Sequence, residues 1–277
     1  MRGPAGWHDQ PVSEPSPPAA DSAPVTRARR AAERRLTWAS PLIGVLLGLS
    51  LVTTKWTSSA FAVVLVVVVA QLLVAAGWHE AIQAEQATTG ALAGVVLGFL
   101  ADAAVLIPSA PTTLEPPIAV LGVGFLVVVV QQLARRDAHQ GAVVSMAATA
   151  SLAAVTALGA GWIVLDGDIV GRDVVWAGGL ALVTASLARL VPSDTWAPWL
   201  ALAAGVFGGW LAGVGGGGLL TPSVGLWVGL ACGVAVGLSD AFVRGATAVF
   251  RQRWWMTGAF SVLLAAPLAY LAVRLTL

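Results

Sequence analysis

The chain has 277 residues, of which 57% are hydrophobic and only 10% charged, with a formal net charge of +1. A water-soluble domain carries about 25% charged residues, so this composition cannot cover a solvent-facing surface and excludes the soluble globular classes. The arginines are spread between segments instead of gathered on one face, which excludes a nucleic-acid-binding surface.

The chain opens on a tail, expected over residues 1–35. Met1–Thr26 is rich in Pro, Ala and Ser, including Pro4, Pro11, Pro15, Pro17, Pro18 and Pro24. It has no apolar period, which predicts disorder. Arg27, Arg29, Arg30, Arg34 and Arg35 follow, directly ahead of the first apolar run. The polar lead is too long for a signal peptide and many apolar runs come after it, so an uncleaved anchor is expected.

Residues 36–277 read as one transmembrane domain. Crossing a ~30 Å hydrocarbon core takes about 20 apolar residues. Candidate spans are Leu36–Thr53, Ser58–Trp78, Thr88–Ile107, Pro117–Ala134, Ala142–Leu165, Val174–Val191, Trp196–Val214, Leu220–Leu238 and Thr257–Val273. The first contains Pro41 and the eighth Pro222. The fold class is therefore all-α, a polytopic integral membrane helical bundle of about nine transmembrane helices. Composition rich in Ala, Val, Gly and Arg suggests a high-GC bacterium, and the expected location is its plasma membrane.

Lysine and arginine set the orientation. With the N-terminus cytoplasmic and the C-terminus outside, the inner segments hold the tail arginines, Arg135, Arg136, Arg189, Arg244, Arg251 and Arg253. The outer segments hold only Lys55, Arg172 and Arg274, with an outer loop made acidic by Asp166, Asp168 and Asp173. Trp38, Trp56, Trp78, Trp176, Trp196 and Trp254–Trp255 fall near span ends, as expected of interfacial belts.

Polar groups inside the spans are the candidate sites. Asp102 lies in the third, about 20 Å from its cytoplasmic end at 1.5 Å per residue. An ionised carboxylate there is costly, so it must face the interior, be paired or be protonated. It is either a proton or cation site, or a carboxylate that reaches water near the outer headgroups with Lys55 close by. Arg189 is expected to snorkel from its helix end. Gln71 and Gln131–Gln132 are expected to hydrogen-bond between helices. His79, Glu80 and Glu85 make a short polar inner loop, a solvated turn or a cation site. Cys232 reads as a small packing residue. His8, His79 and His139 lie in separate polar segments, with no spacing that suggests a metal. No cofactor is expected.

Gly205, Gly209 and Gly213 recur every four residues, which puts small groups on one helix face and lets helices approach closely. The run Gly215–Gly218 reads as a turn, since no phosphate-loop pattern surrounds it. In the segment Ser239–Trp255, Asp240, Arg244, Thr247 and Arg251 recur at helical spacing opposite Phe242, Ala246, Val249, Phe250 and Trp254. This predicts an amphipathic helix in the headgroup plane, with Asp240, Arg244, Arg251 and Arg253 as candidates for anionic lipid headgroups.

Several stretches between Leu190 and Leu277 together carry a family resemblance. They are Pro192-Ser193-Asp194-Thr195-Trp196, Gly208-Gly209-Trp210-Leu211-Ala212-Gly213, Val228-Gly229-Leu230, Gly237-Leu238-Ser239-Asp240 and Ala265-Ala266-Pro267-Leu268-Ala269-Tyr270. This region resembles the phosphatidate cytidylyltransferase (CDP-diacylglycerol synthase) family. The resemblance implies a polytopic fold and coupling of CTP to phosphatidic acid, with divalent metals, at the cytoplasmic face. Departures go with it. Ser193 and Asp194 replace the family's basic pair, apolar and hydroxyl residues around Val183–Ser186 replace its acid, and Ala241–Gly258 has no histidine, lysine or acid after Asp240. The expectation is a non-catalytic membrane protein, with no catalytic or metal residue, whose partners are the bilayer, anionic headgroups or another membrane protein. Transport through Asp102, or residual cytidylyl transfer, is the alternative.

Overall fold

A backbone with no water to bond must bond to itself, and in a chain this apolar the helix is the open-chain solution. Even the valine-rich run Val63–Val69 is helical. The computed structural model describes residues 23–57, 61–81, 87–107, 113–133, 142–168, 171–191, 195–216, 220–245 and 254–276. For the helical residues 23–37, 79–81, 87–89, 132–133, 142–144, 243–245 and 254–255, only the backbone is described.

The helices are α1 (Ala23–Thr54), α2 (Phe61–Ala81), α3 (Ala87–Val105), α4 (Glu115–Leu133), α5 (Ala142–Leu158), α6 (Gly161–Asp166), α7 (Gly171–Ala188), α8 (Ala197–Gly215), α9 (Pro222–Gly245) and α10 (Trp254–Thr276). No strand occurs among the described residues. Only the turn at Gly159 and Ala160 separates α5 from α6, and the apolar stretch Ser145–Asp166 runs through both. Each predicted span thus falls on one helix or on this pair. Phe61–Trp78, Ser145–Asp166, Ala197–Gly215, Pro222–Phe242 and Met256–Thr276 are long and apolar enough to cross a membrane. Trp38–Thr54, Gly90–Val105 and Glu115–Gln131 are shorter apolar helices.

Prolines mark helix starts. Pro116 and Pro117 sit in the first turn of α4, Pro198 in that of α8, and Pro222 opens α9. A proline there gives up an N–H that has no intrahelical acceptor anyway. Pro222 therefore opens the helix of the eighth span, where a proline is accommodated. Pro41 and Pro267 lie inside α1 and α10, which membrane helices tolerate. α1 starts at Ala23, upstream of the predicted Leu36, so the arginine-rich stretch and the last residues of the segment expected to be disordered are helical. Residues 1–22 lie outside the described residues, and contacts divide the chain into Met1–Arg35 and Leu36–Leu277.

Within Leu36–Leu277 the core is anchored by Trp162 of α6. Its ring is fully buried, and its Nε1 donates to the Val262 carbonyl of α10 at 2.8 Å. Gly178 of α7 makes room for that ring, since a Cβ there would overlap it. α4 lies at the margin, with Ile118, Val123, Leu126, Val127 and Val130 exposed, the all-round apolar surface of a lipid-facing helix.

Contacts fix which span ends lie together. Lys55, Asp166, Asp168, Arg172, Asp173 and Arg274 pair at one end of the bundle. Trp78, Arg189, Asp240, Phe242 and Phe260 meet at the other. This is the alternation expected when each span reverses direction. Trp56 and Trp196 are exposed near helix ends, as belts require, whereas Trp38 is exposed midway along α1, where its apolar stretch begins. Trp78 is buried against Phe242 and Trp176 lies beneath Lys55, so these two pack internally.

Candidate functional site

The site begins with a register. Gly90, Gly94, Gly98 and Asp102 recur every four residues along α3 and so share one face. A Cβ on Gly94 would lie 2.7 Å from Leu152 Cγ of α5. One on Gly98 would lie 2.9 Å from Thr156 Cβ and 3.2 Å from Gln71 Nε2. Lacking side chains, this stripe lets α3 close on α5 and α2, and the next residue in register is carried inside. Asp102 is 3% exposed and Gln71 0%.

Hydrogen bonds then fix the orientation of each group. Gln71 Nε2 donates to Asp102 Oδ2 at 2.9 Å and to the Thr156 carbonyl at 3.0 Å. That carbonyl can only accept, so turning the amide over would set oxygen against oxygen; Thr156 thereby holds the Gln71 nitrogen toward the carboxylate. The Thr156 hydroxyl is engaged by the Gly94 carbonyl of α3 at 2.8 Å and the Leu152 carbonyl of its own helix at 2.9 Å. Asp102 Oδ1 and Gln71 Oε1, both buried, have no hydrogen-bond partner among the described residues. The site is a carboxylate met by one neutral donor, with two acceptor oxygens left over. Chemically it can take up a proton.

Lys55 is elsewhere. Its Nζ pairs with Asp173 Oδ1 at 3.2 Å, donates to the Gly216 carbonyl at 2.9 Å and lies 4.3 Å from the Trp176 ring centroid. The expectation that Asp102 reaches water beside Lys55 is therefore corrected: Asp102 is enclosed, and its partner is Gln71. Gln131, expected to bond between helices, is exposed on α4, and Gln132 has no described side chain.

The other intramembrane candidate, Arg189, lies in the turn after α7 and pairs with Asp240 of α9, where snorkelling alone was expected. Asp240 is itself buried and turned toward Arg189, which corrects its placement among the lipid-headgroup residues. Residues Ser239–Gly245 continue α9 as part of a long helix instead of starting an interfacial one. Phe242, on the apolar face of that expected helix, is partly exposed and stacks between Trp78 and Phe260 at centroid distances of 6.4 Å and 5.6 Å. Arg244 lies on α9 with its side chain outside the described residues, as are Arg251 and Arg253 altogether.

Sequence reasoning missed the partners of both acids. Spacing offered one clue, since the α3 glycines repeat every four residues into Asp102, just as the α8 glycines do. The cations and aspartates expected on the outer side pair with one another, as Lys55–Asp173, Arg172–Asp166 and Arg274–Asp168. Among the described residues, no group of three or more His, Cys, Asp or Glu is placed to hold a metal ion. Comparison with family models, with curated proteins and with solved structures finds no match.

Proposed function

We propose that the chain is a multi-pass protein of the cell membrane that works by binding, without catalysis, with lipid or a partner membrane protein as its ligand. The observation that carries this reading is the pairing of Asp240. In the cytidylyltransferase resemblance it is the one acid left where that family gathers its carboxylates, and it is buried against Arg189. Two divalent metals and a triphosphate draw on several carboxylates and fixed cations, and one aspartate held by an arginine cannot supply them. The reading is of a cytidylyltransferase-like shell put to another use, with the N-terminus cytoplasmic and Arg244, Arg251 and Arg253 toward anionic headgroups. Purified protein given CTP, phosphatidic acid and Mg²⁺ or Mn²⁺ should form no CTP-dependent lipid product. Product that Asp240→Ala abolishes would overturn the reading.

A second reading, coupled transport through Asp102, is favoured by the two unpartnered buried oxygens at Asp102 and Gln71. Intramembrane carboxylates of this kind mark proton and ion pathways. Proton or solute flux in proteoliposomes that Asp102→Asn removes would support it, and flux that survives the substitution would end it.

A further inference from the structure

We infer that Asp102 is an intramembrane proton-binding site, its carboxyl holding the proton on Oδ1 in the closed arrangement of α2, α3 and α5. This rests on the second reading for the position of the site, but it requires no flux.

The donor inventory carries the inference. Both amide hydrogens of Gln71 are used, one on Asp102 Oδ2 and one on the Thr156 carbonyl. The Thr156 hydroxyl faces the Gly94 and Leu152 carbonyls. Asp102 Oδ1 and Gln71 Oε1 remain, both acceptors, both buried, both unpartnered among the described residues. What the site lacks is a hydrogen. An ionised carboxylate enclosed by apolar helices with one neutral hydrogen bond carries a large desolvation cost. A proton on Oδ1 removes the charge and turns an orphaned acceptor into a donor.

Charge from the surroundings does not replace that proton. Asp102 forms no ion pair with a described residue. Of the helices packed against α3, α2 carries His79 and Glu80 roughly two turns beyond Gln71. α4 carries Glu115, exposed in its first turn, and α5 carries no titratable side chain. α6 carries Asp166, which faces Arg172 at the end of the bundle. A metal ion is the competing occupant, but hard cations take about six oxygen ligands. Two unpartnered oxygens fall well short.

The test uses the full chain in lipid nanodiscs and dicyclohexylcarbodiimide, an apolar reagent that reacts with protonated carboxyls. The acid proton moves to a carbodiimide nitrogen, the carboxyl oxygen bonds the central carbon, and an oxygen-to-nitrogen acyl shift leaves a stable N-acylurea with no leaving group. The expected result is one adduct mapped to Asp102, absent in Asp102→Asn, falling as pH is raised and unchanged when Na⁺ replaces choline. Protection by Na⁺ would identify a metal-ion site and overturn the inference. Reagent access is covered by a second measurement, the thermal midpoint of wild type and Asp102→Asn against pH. A proton bound only by the folded state stabilises it by mass action. Wild type should therefore lose stability relative to the asparagine variant as pH rises. A difference independent of pH, with Asp102 unlabelled, would overturn the inference. Labelling without proton flux would remove only the transport reading.

Discussion

Two regions of this bundle solve the same packing problem with different materials. In α8 and α9 glycine meets glycine. Gly205, Gly209 and Gly213 face Gly225, Gly229 and Gly233, and a Cβ on Gly205 would stand 2.8 Å from the Gly229 carbonyl oxygen. The nearby carboxylate, Asp240, meets an arginine. In α3 and α5 the glycines meet side chains, Thr149, Leu152 and Thr156, and the carboxylate, Asp102, meets a glutamine. The first region is backbone against backbone with its charge neutralised, a fixed joint held by close van der Waals contact. In the second, rotatable side chains close the interface and the carboxyl meets a neutral amide instead of a cation. A four-residue glycine stripe therefore signals close approach and nothing more. The residue that continues the register decides whether the contact also holds chemistry.

The largest expected effect comes from filling the glycine stripes one carbon at a time. A Cβ on Gly209 would overlap the Gly225 carbonyl and lie 2.7 Å from Gly229 Cα, and neither backbone atom can turn away. A Cβ on Gly94 would meet Leu152 Cγ at 2.7 Å and Cδ2 at 2.8 Å, atoms that a rotamer change can move. Gly209→Ala should therefore cost about 3 kcal/mol, the upper part of the overpacking range, and Gly94→Ala about 1 kcal/mol. Thermal midpoints in one detergent read both. Equal losses would erase the distinction between the two regions.

The carboxylates come next. Asp240→Asn removes the charge that neutralises Arg189, whose side chain is mostly buried. It should cost about 2 kcal/mol, since a hydrogen bond to a charged group is stronger than a neutral one and the cation stays in place. Asp102→Asn keeps a polar group of the same shape for Gln71 and should cost under about 0.5 kcal/mol at neutral pH. Reversed losses would make Asp102 the structural acid and Asp240 the dispensable one.

These contrasts explain which parts of the molecule the sequence disclosed. The spans were legible because lipid demands a length and an apolarity that any window can read. Gly205, Gly209 and Gly213 were legible because their spacing is dense and local. Gly225, Gly229 and Gly233 have the same spacing, but which helix they face is a tertiary fact. Asp102 was legible as an oddity, one acid in an apolar run. Gln71 lies 31 residues away from it and Arg189 lies 51 from Asp240. No local period announces either partner, because each pairing depends on how the helices are arranged. The segment Ser239–Gly245 misled for a related reason. Its alternation of charged and aromatic residues fits an interfacial helix, yet Asp240 is buried against Arg189, and Phe242, though partly exposed, stacks on Trp78 and Phe260.

An effect smaller than that of Asp240→Asn is expected where charge is plentiful and water close, at the end held by Lys55. Its ammonium joins α1 to Asp173 of α7 and to the Gly216 carbonyl that follows α8, above the Trp176 ring. Both members of the ion pair are partly exposed, at 23% and 19%. Exposed pairs contribute about 0.2–1 kcal/mol, because solvent screens them and two side chains must be ordered. Lys55→Met keeps most of the apolar stem over Trp176 and deletes only the charge, so the loss should stay below about 1 kcal/mol. Salt separates the remaining causes. The Debye length shrinks from about 10 Å at 0.1 M salt to about 3 Å at 1 M, so wild type should give up most of its advantage over Lys55→Met across that range. Asp240→Asn, with its pair further from solvent, should keep its deficit. If the Lys55→Met difference instead exceeds that of Asp240→Asn and resists salt, the ion pairs at this end are as firmly held as the glycine joint. The contrast between a fixed C-terminal region and a polar N-terminal one would then no longer account for where the stability lies.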